Sequence, residues 1–177
     1  MKIPLIKTNK KAQSVFGMPF SVIFSIFLIA IFLAVAIYAI MHFLDIRKCT
    51  EIGLFIDDFE AEINRVWSSQ SSDLVFTRTL PSKINYLCFA DLNEAARGNI
   101  RDAEGNNIYD ELKKNAVYTN NMFFYPRRES CIPSKNVQHL NISGLSNPYC
   151  IETASGKINI KIEKGFYEAL VKISRAD

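Results

Sequence analysis

The chain has 177 residues, 49% of them hydrophobic, and a formal net charge of +3, which suits one modest domain together with an anchoring segment. Four of its 21 basic residues precede Asp45, the first acidic residue, so the positive excess belongs to the N-terminus and the rest is close to neutral. Nucleic-acid binding requires a basic face on the folded domain, and this charge distribution therefore predicts no nucleic-acid partner.

The N-terminal part of the sequence predicts a transmembrane helix. Residues 1–19 carry four lysines, and residues 20–44 are an uncharged run of 25 mostly apolar residues. As a helix this run would be about 37 Å long, enough to cross a hydrocarbon core of roughly 30 Å. The lysines place residues 1–19 in the cytoplasm by the positive-inside rule, so the C-terminal region is predicted to be extracytoplasmic in a single-pass cell-membrane protein.

The alternative for this segment is a cleaved secretory signal. Ala34-Val35-Ala36 has the small-x-small pattern of a cleavage site. Signal h-regions run for about 7–15 residues, whereas this apolar run continues to Leu44. The length of the run favours a retained span, with the lipid bilayer as the first predicted partner.

Residues 45–67 predict an amphipathic extension of the same helix. Apolar residues from Ile46 to Trp67 recur at steps of three or four and form one stripe, while charged residues fall on the opposite side. The serine-rich segment that begins at Ser68 ends the pattern. The stripe needs a cover, which is either the region that follows or the same stripe on a neighbouring copy.

Residues 74–177 predict a β-rich domain. Strands are expected at residues 74–80 and 84–90, paired as a hairpin, and then at 122–125, 137–142, 149–153, 158–163 and 169–174. The second strand is apolar on both faces, which is typical of a central strand, and Asn107 can cap a short helix over residues 108–115. A long helix followed by short strands predicts an α+β chain with a mainly antiparallel sheet.

The four cysteines all follow the predicted span. An even number in an oxidising compartment predicts two disulfides, and the favoured pairing is Cys131 with Cys150 and Cys49 with Cys88. In the alternative, Cys49 and Cys88 are small core residues. Asn141-Ile142-Ser143 is a glycosylation sequon, so Asn141 is a candidate for modification on an outer domain.

No arrangement of residues predicts an enzyme, a cofactor or a small-molecule substrate. The one conceivable catalytic pair is Cys131 with His139, but a strand histidine beside a bridged cysteine is the commoner arrangement. No cysteine pair has the spacing of a zinc site. Asp102, Glu104 and Asn106 imitate the start of a calcium loop, but the positions that follow depart from the pattern, so no metal site is predicted.

The order of the segments resembles that of type IV pilins and archaeal pilin-like proteins. Lys10-Lys11-Ala12-Gln13-Ser14 is similar to a class III signal-peptide site, which implies cleavage between Ala12 and Gln13. The resemblance also implies that the hydrophobic helix packs in a filament core while the β-rich domain faces solvent. The chain departs from the pilin pattern at Gly17-Met18-Pro19, which stands between that site and the apolar run.

Two classes of function follow from these features. The first is a structural role as a pilin-like surface subunit, whose partners include further copies of itself. The second is an anchored envelope-complex subunit, sensor or adhesion module that binds another membrane or surface protein.

Overall fold

A computed structural model describes residues 20–114 and 116–176. Its first element is a 49-residue helix, α1 (Phe20–Ser68). The chain divides into two compact units, Met1–Asp45 and Ile46–Asp177, and we call the second unit the head. The predicted amphipathic extension and the β-rich region therefore belong to one unit, the head.

The part of α1 that lies in the first unit is apolar and uncovered. Its large side chains are exposed along the whole segment, for example Phe20, Phe32 and Phe43 at 80%, 69% and 67%. α1 is the one helix among the described residues that is long and apolar enough to cross a membrane. An apolar helix of this kind near the N-terminus indicates a membrane span or a secretion signal.

The head contains eight strands and a short second helix. The strands are β1 (Ser72–Thr79), β2 (Tyr86–Phe89), β3 (Met122–Tyr125), β4 (Ser134–Lys135), β5 (Leu140–Asn141), β6 (Tyr149–Glu152), β7 (Lys157–Lys164) and β8 (Val171–Arg175). The helix α2 (Ile108–Lys113) follows β2, and the Asn107 side chain caps it by accepting a hydrogen bond from the Tyr109 N–H. The predicted α+β class is confirmed.

The strands form two four-stranded sheets. Sheet A has the order β1-β7-β8-β5, and sheet B has the order β4-β3-β2-β6. Every pairing is antiparallel except that of β5 with β8. β2 lies between β3 and β6, which confirms the central position predicted from its two apolar faces.

The predicted hairpin between the first two strands is wrong. β1 pairs with β7 in sheet A, whereas β2 pairs with β3 and β6 in sheet B. The connection turns between the sheets, with the Ile84 N–H donating to the Pro81 carbonyl at 2.9 Å. Because β1 and β2 belong to separate sheets, they cover two sides of α1. The apolar surface buried in this way stabilises the fold more than a short hairpin loop between the two strands would.

The apolar stripe of α1 forms the centre of the core. Phe55 makes edge contacts with Phe76 of sheet A and Phe124 of sheet B, at centroid distances of 5.7 and 5.9 Å. Phe59 makes an edge contact with Phe76 and a tilted contact with Phe89, at centroid distances of 5.4 and 5.9 Å. Burying each such ring contributes about 1.5–3 kcal/mol. The stripe is thus covered by the head's own two sheets and not by a neighbouring copy.

A second, smaller core lies on the other face of sheet B. Cys88, Phe123 and Tyr125 point to this side, and α2 covers them with Ile108 and Leu112. Strand alternation sends Leu87 and Phe89 to the α1 side and Cys88 away from it. Sheet B is therefore buried on both faces.

Candidate functional site

The two disulfides of the head differ in their pairing from the prediction. Cys49 of α1 is bonded to Cys131, in the loop between β3 and β4, and Cys88 of β2 is bonded to Cys150 of β6. Two disulfides are present as predicted, and they indicate an extracytoplasmic compartment for the head.

Strand register explains the pairing. β2 and β6 place Cys88 directly opposite Cys150, where side chains of an antiparallel pair meet. Cys88 also lies on the face of sheet B that is turned away from α1, so a bond to Cys49 is excluded. Cys131 is left beside the helix, with a Cα–Cα distance of 5.3 Å to Cys49.

An open groove of about 700 Å³ lies next to the Cys49–Cys131 bridge. It is formed by the loop before α2, the end of β3 and the segment from Pro126 to Pro133. Its charged side chains are of both signs, namely Asp102, Glu104, Glu111, Lys114, Arg127 and Arg128. Ligand pockets of comparable volume are mostly apolar, whereas this one is open and six of its fourteen lining residues are charged.

Most polar groups of the groove are engaged with one another. The Tyr125 hydroxyl donates to Asp102 Oδ2, Arg127 Nη1 donates to the Lys114 carbonyl at 2.6 Å, and Lys114 forms an ion pair with Glu111. The first two contacts join different segments of the groove wall, whereas the third lies within one segment.

Asp102 organises the loop that resembled a calcium site. Its Oδ1 accepts hydrogen bonds from the backbone N–H groups of Glu104 and Asn106 at 3.0 and 2.8 Å. The Tyr125 hydroxyl and the Asn106 amide lower the pKa of Asp102 to about 2, because both donate to the charged form. Burial and the Asp102 carboxylate raise the pKa of Tyr125. The carboxylate is thus occupied by the loop itself, and the described residues contain no cluster suited to a metal ion.

The pair considered for catalysis is not brought together as a nucleophile and a base. The Cys131 sulfur is in a disulfide, so it provides no thiolate. The His139 ring stacks on Trp67 at 3.6 Å between centroids, and Trp67 Nε1 donates to the Ala169 carbonyl at 3.1 Å. The sequence does not predict this stack at the C-terminal end of α1. Its one local sign is that the apolar stripe ends in the aromatic residue Trp67.

The remaining predicted sites are the glycosylation candidate Asn141, which is half-buried, and the leader cleavage position. Asn141 lies in β5, and its Oδ1 accepts hydrogen bonds from the N–H and the hydroxyl of Ser143, at 3.1 and 2.7 Å. Glycosylation of Asn141 stays a prediction. Ala12 and Gln13, the predicted cleavage position, lie outside the described residues.

Comparison with protein-family models, with characterised proteins and with solved structures gives no significant match. The long apolar helix followed by antiparallel sheets is consistent with a pilin-like architecture.

Proposed function

We propose that this protein is a single-pass membrane protein whose extracytoplasmic head has a structural or interaction role, as a pilin-like surface subunit. The observation that carries the proposal is the difference in burial between the two parts of α1. Its apolar part in the first unit has exposed side chains throughout, while its stripe in the head is buried by two sheets. A helix that is hydrophobic on all sides needs lipid or other helices around it.

The charge and the disulfides support the orientation. The lysines of residues 1–19 favour a cytoplasmic N-terminus. Both disulfides lie in the head, and such bonds persist in oxidising compartments outside the cytoplasm. The two arguments are independent and point to the same topology.

The packing of α1 restricts how copies would assemble. The stripe from Ile52 to Val66 is already covered within one copy, so it is not available to a neighbour. Contacts between copies would therefore use the apolar residues 20–44, as in the filament core that the pilin resemblance implies.

The alternative is an anchored envelope-complex subunit, sensor or adhesion module that keeps its N-terminus. The observation in its favour is Gly17-Met18-Pro19, which separates the leader motif from the apolar run. In both cases we propose a protein without enzymatic activity. The four cysteines form disulfides and offer no thiolate, and Asp102, Tyr125 and Arg127 of the groove form hydrogen bonds within the head.

The intact mass and N-terminal sequence of the protein from its native membrane distinguish the two. A chain that begins at Gln13 supports the pilin-like role, and a joint change of Lys10 and Lys11 to alanine should then block cleavage. The same change at Lys2 and Lys7 removes equal charge away from the site and is the matched control. A chain that retains Lys2 contradicts the pilin-like role and leaves the anchored module.

The topology has its own test. Before any assembly into a filament, protease added to intact cells should digest the head, whereas residues on the N-terminal side of the apolar run should become accessible only after lysis. A head that protease reaches only after lysis would contradict the proposed orientation.

A further inference from the structure

The two disulfides of the head lie in different surroundings. Cys88 is fully buried in the small core between sheet B and α2, and Cys150 packs against that core. Cys131 is exposed and Cys49 is half-buried, and neither belongs to a hydrophobic core of the head. The Cys49–Cys131 bridge is therefore open to solvent at Cys131, whereas neither cysteine of the other bridge is exposed.

The groove gives another molecule access to the exposed bridge. Cys131 lines this groove of about 700 Å³ together with Ser130 and Pro133. Disulfide exchange requires a thiolate to reach one of the two sulfurs, so its rate depends on access. Clefts of about 300–1,000 Å³ hold drug-sized ligands, and a protein loop that carries a cysteine can therefore enter the groove and approach Cys131.

Solvation also favours opening of this bridge over the other. A disulfide that opens leaves one sulfur as a thiolate, and burial among apolar groups disfavours that charge. Cys88 lies directly opposite Phe123 in sheet B, and Ile108 of α2 covers the same core. Water reaches the other bridge at Cys131. Access and solvation thus both make Cys49–Cys131 the more reactive of the two bonds.

The buried packing of the head does not include this bridge. The buried stripe of α1 begins at Ile52, three residues after Cys49, and is covered by both sheets. On the other side of the bond, Arg127 Nη1 donates to the Lys114 carbonyl at 2.6 Å, which holds the segment before Cys131. Opening of the bond therefore releases α1 from this segment at Cys49 without removing a core contact.

We propose that the Cys49–Cys131 bridge is a thiol–disulfide exchange site, at which a dithiol protein opens the link between α1 and the segment between β3 and β4. The inference rests on the extracytoplasmic head of the proposed function only for the compartment in which the partner is found. It does not depend on cleavage of the leader or on assembly into a filament.

The exchange takes place in two steps. A thiolate of the partner attacks Cys131 Sγ, so a mixed disulfide forms there, the bond to Cys49 breaks, and Cys49 leaves as a thiolate that takes a proton from water. The second thiol of the partner then loses its proton and attacks the partner's own sulfur in the mixed disulfide, which releases Cys131. Two electrons pass to the bridge, which becomes two thiols, and the partner dithiol becomes a disulfide.

Partial reduction of the full chain in mild detergent tests the site. The probe is reduced thioredoxin, a soluble dithiol protein, and the thiols that appear are alkylated with iodoacetamide and located by peptide mapping. We expect Cys49 and Cys131 to be alkylated at least about tenfold faster than Cys88 and Cys150, while the fluorescence of Trp67 stays that of the folded head. Equal rates, or alkylation only after the fluorescence has changed, would overturn the proposal.

A matched pair of variants tests which sulfur is attacked. Cys49→Ser and Cys131→Ser lose the same bridge, but the first leaves the exposed cysteine as a thiol and the second leaves the half-buried one. With glutathione disulfide as the probe, Cys49→Ser should form a mixed disulfide at least about fivefold faster. Equal rates would contradict attack from the groove and overturn the proposal. Neither measurement depends on orientation in the membrane, which the protease experiment tests separately.

Discussion

Replacement of Asn147 by alanine should destabilise the head. Asn147 is 3% exposed, and its amide joins two segments that are distant in sequence. Its Oδ1 accepts from the Asp91 N–H at 3.1 Å, and its Nδ2 donates to the carbonyls of Asp91 and Ala95 at 2.8 and 3.1 Å. The side chain thus holds the start of the 91–107 loop against the turn before β6.

The expected loss follows from these three hydrogen bonds. Each contributes about 1 kcal/mol net, and a buried group left without a partner costs about 1–3 kcal/mol. Ala95 is exposed and Asp91 is half-buried, so water can reach part of the gap. We expect the free energy of unfolding to fall by about 3 kcal/mol, with a drop in melting temperature of about 10 °C for a unit of this size.

The assay is denaturant unfolding in detergent without reductant, followed by the fluorescence of Trp67, the single tryptophan. Asn136→Ala, at an exposed position, is the control and should change the free energy of unfolding by less than about 0.5 kcal/mol. Asn147→Asp keeps the acceptor but directs a carboxylate at two carbonyls, so it should be at least as damaging as alanine. A loss below about 1 kcal/mol for Asn147→Ala would refute the reasoning.

Three further predictions concern other contacts of the head. Lys164→Met removes hydrogen bonds to the carbonyls of Trp67 and Ser69, at 2.6 and 2.7 Å, at the C-terminal end of α1 and just beyond it. It should lower the free energy of unfolding by about 1–2 kcal/mol, while the same change at the exposed Lys157 should not. Peptide mapping without reductant should recover a Cys49–Cys131 fragment, and replacing both residues by serine should cost about 2–5 kcal/mol in unfolding experiments; a Cys131–Cys150 fragment would contradict the structure. The lowered pKa of Asp102 means that its contribution is complete above about pH 4 and is lost as the pH falls towards 2. The stability of Asp102→Asn should therefore change less than that of the parent between pH 4 and 2, and parallel acid-unfolding curves would contradict this account.

The elements with strong local signals could be predicted from the sequence. The stripe of α1 repeats at helical spacing over many residues, and its end is marked by the serines after Trp67. β2 was placed at the centre of a sheet because residues on both of its faces are apolar. Asn107 was identified as a helix cap from its side-chain chemistry. In each case the information lies within a few neighbouring residues.

The features that depend on distant segments could not be predicted in the same way. The bond of Cys88 to Cys150 follows from the register of β2 with β6, which no local pattern specifies. The hairpin prediction assumes that strands adjacent in sequence pair with each other. β1 and β2 instead lie in different sheets, because the apolar stripe of α1 is buried from two sides. The contacts of Lys164 with the end of α1 join residues 97 and 95 positions apart, and a lone lysine in a strand gives no sign of them.

The Cys49–Cys131 bridge has a mechanical consequence for a head that is held by its N-terminal end. Tension applied ahead of Ile46 enters the head along α1 and reaches the bridged Cys49 three residues before Ile52, the first buried residue of the α1 stripe. The covalent bond carries this tension into the segment between β3 and β4 before it reaches the packed stripe. Without the bond, the helix could be peeled from the two sheets one turn at a time. With it, peeling of the helix does not start at this end, because the load passes through Cys131 into the segment between β3 and β4.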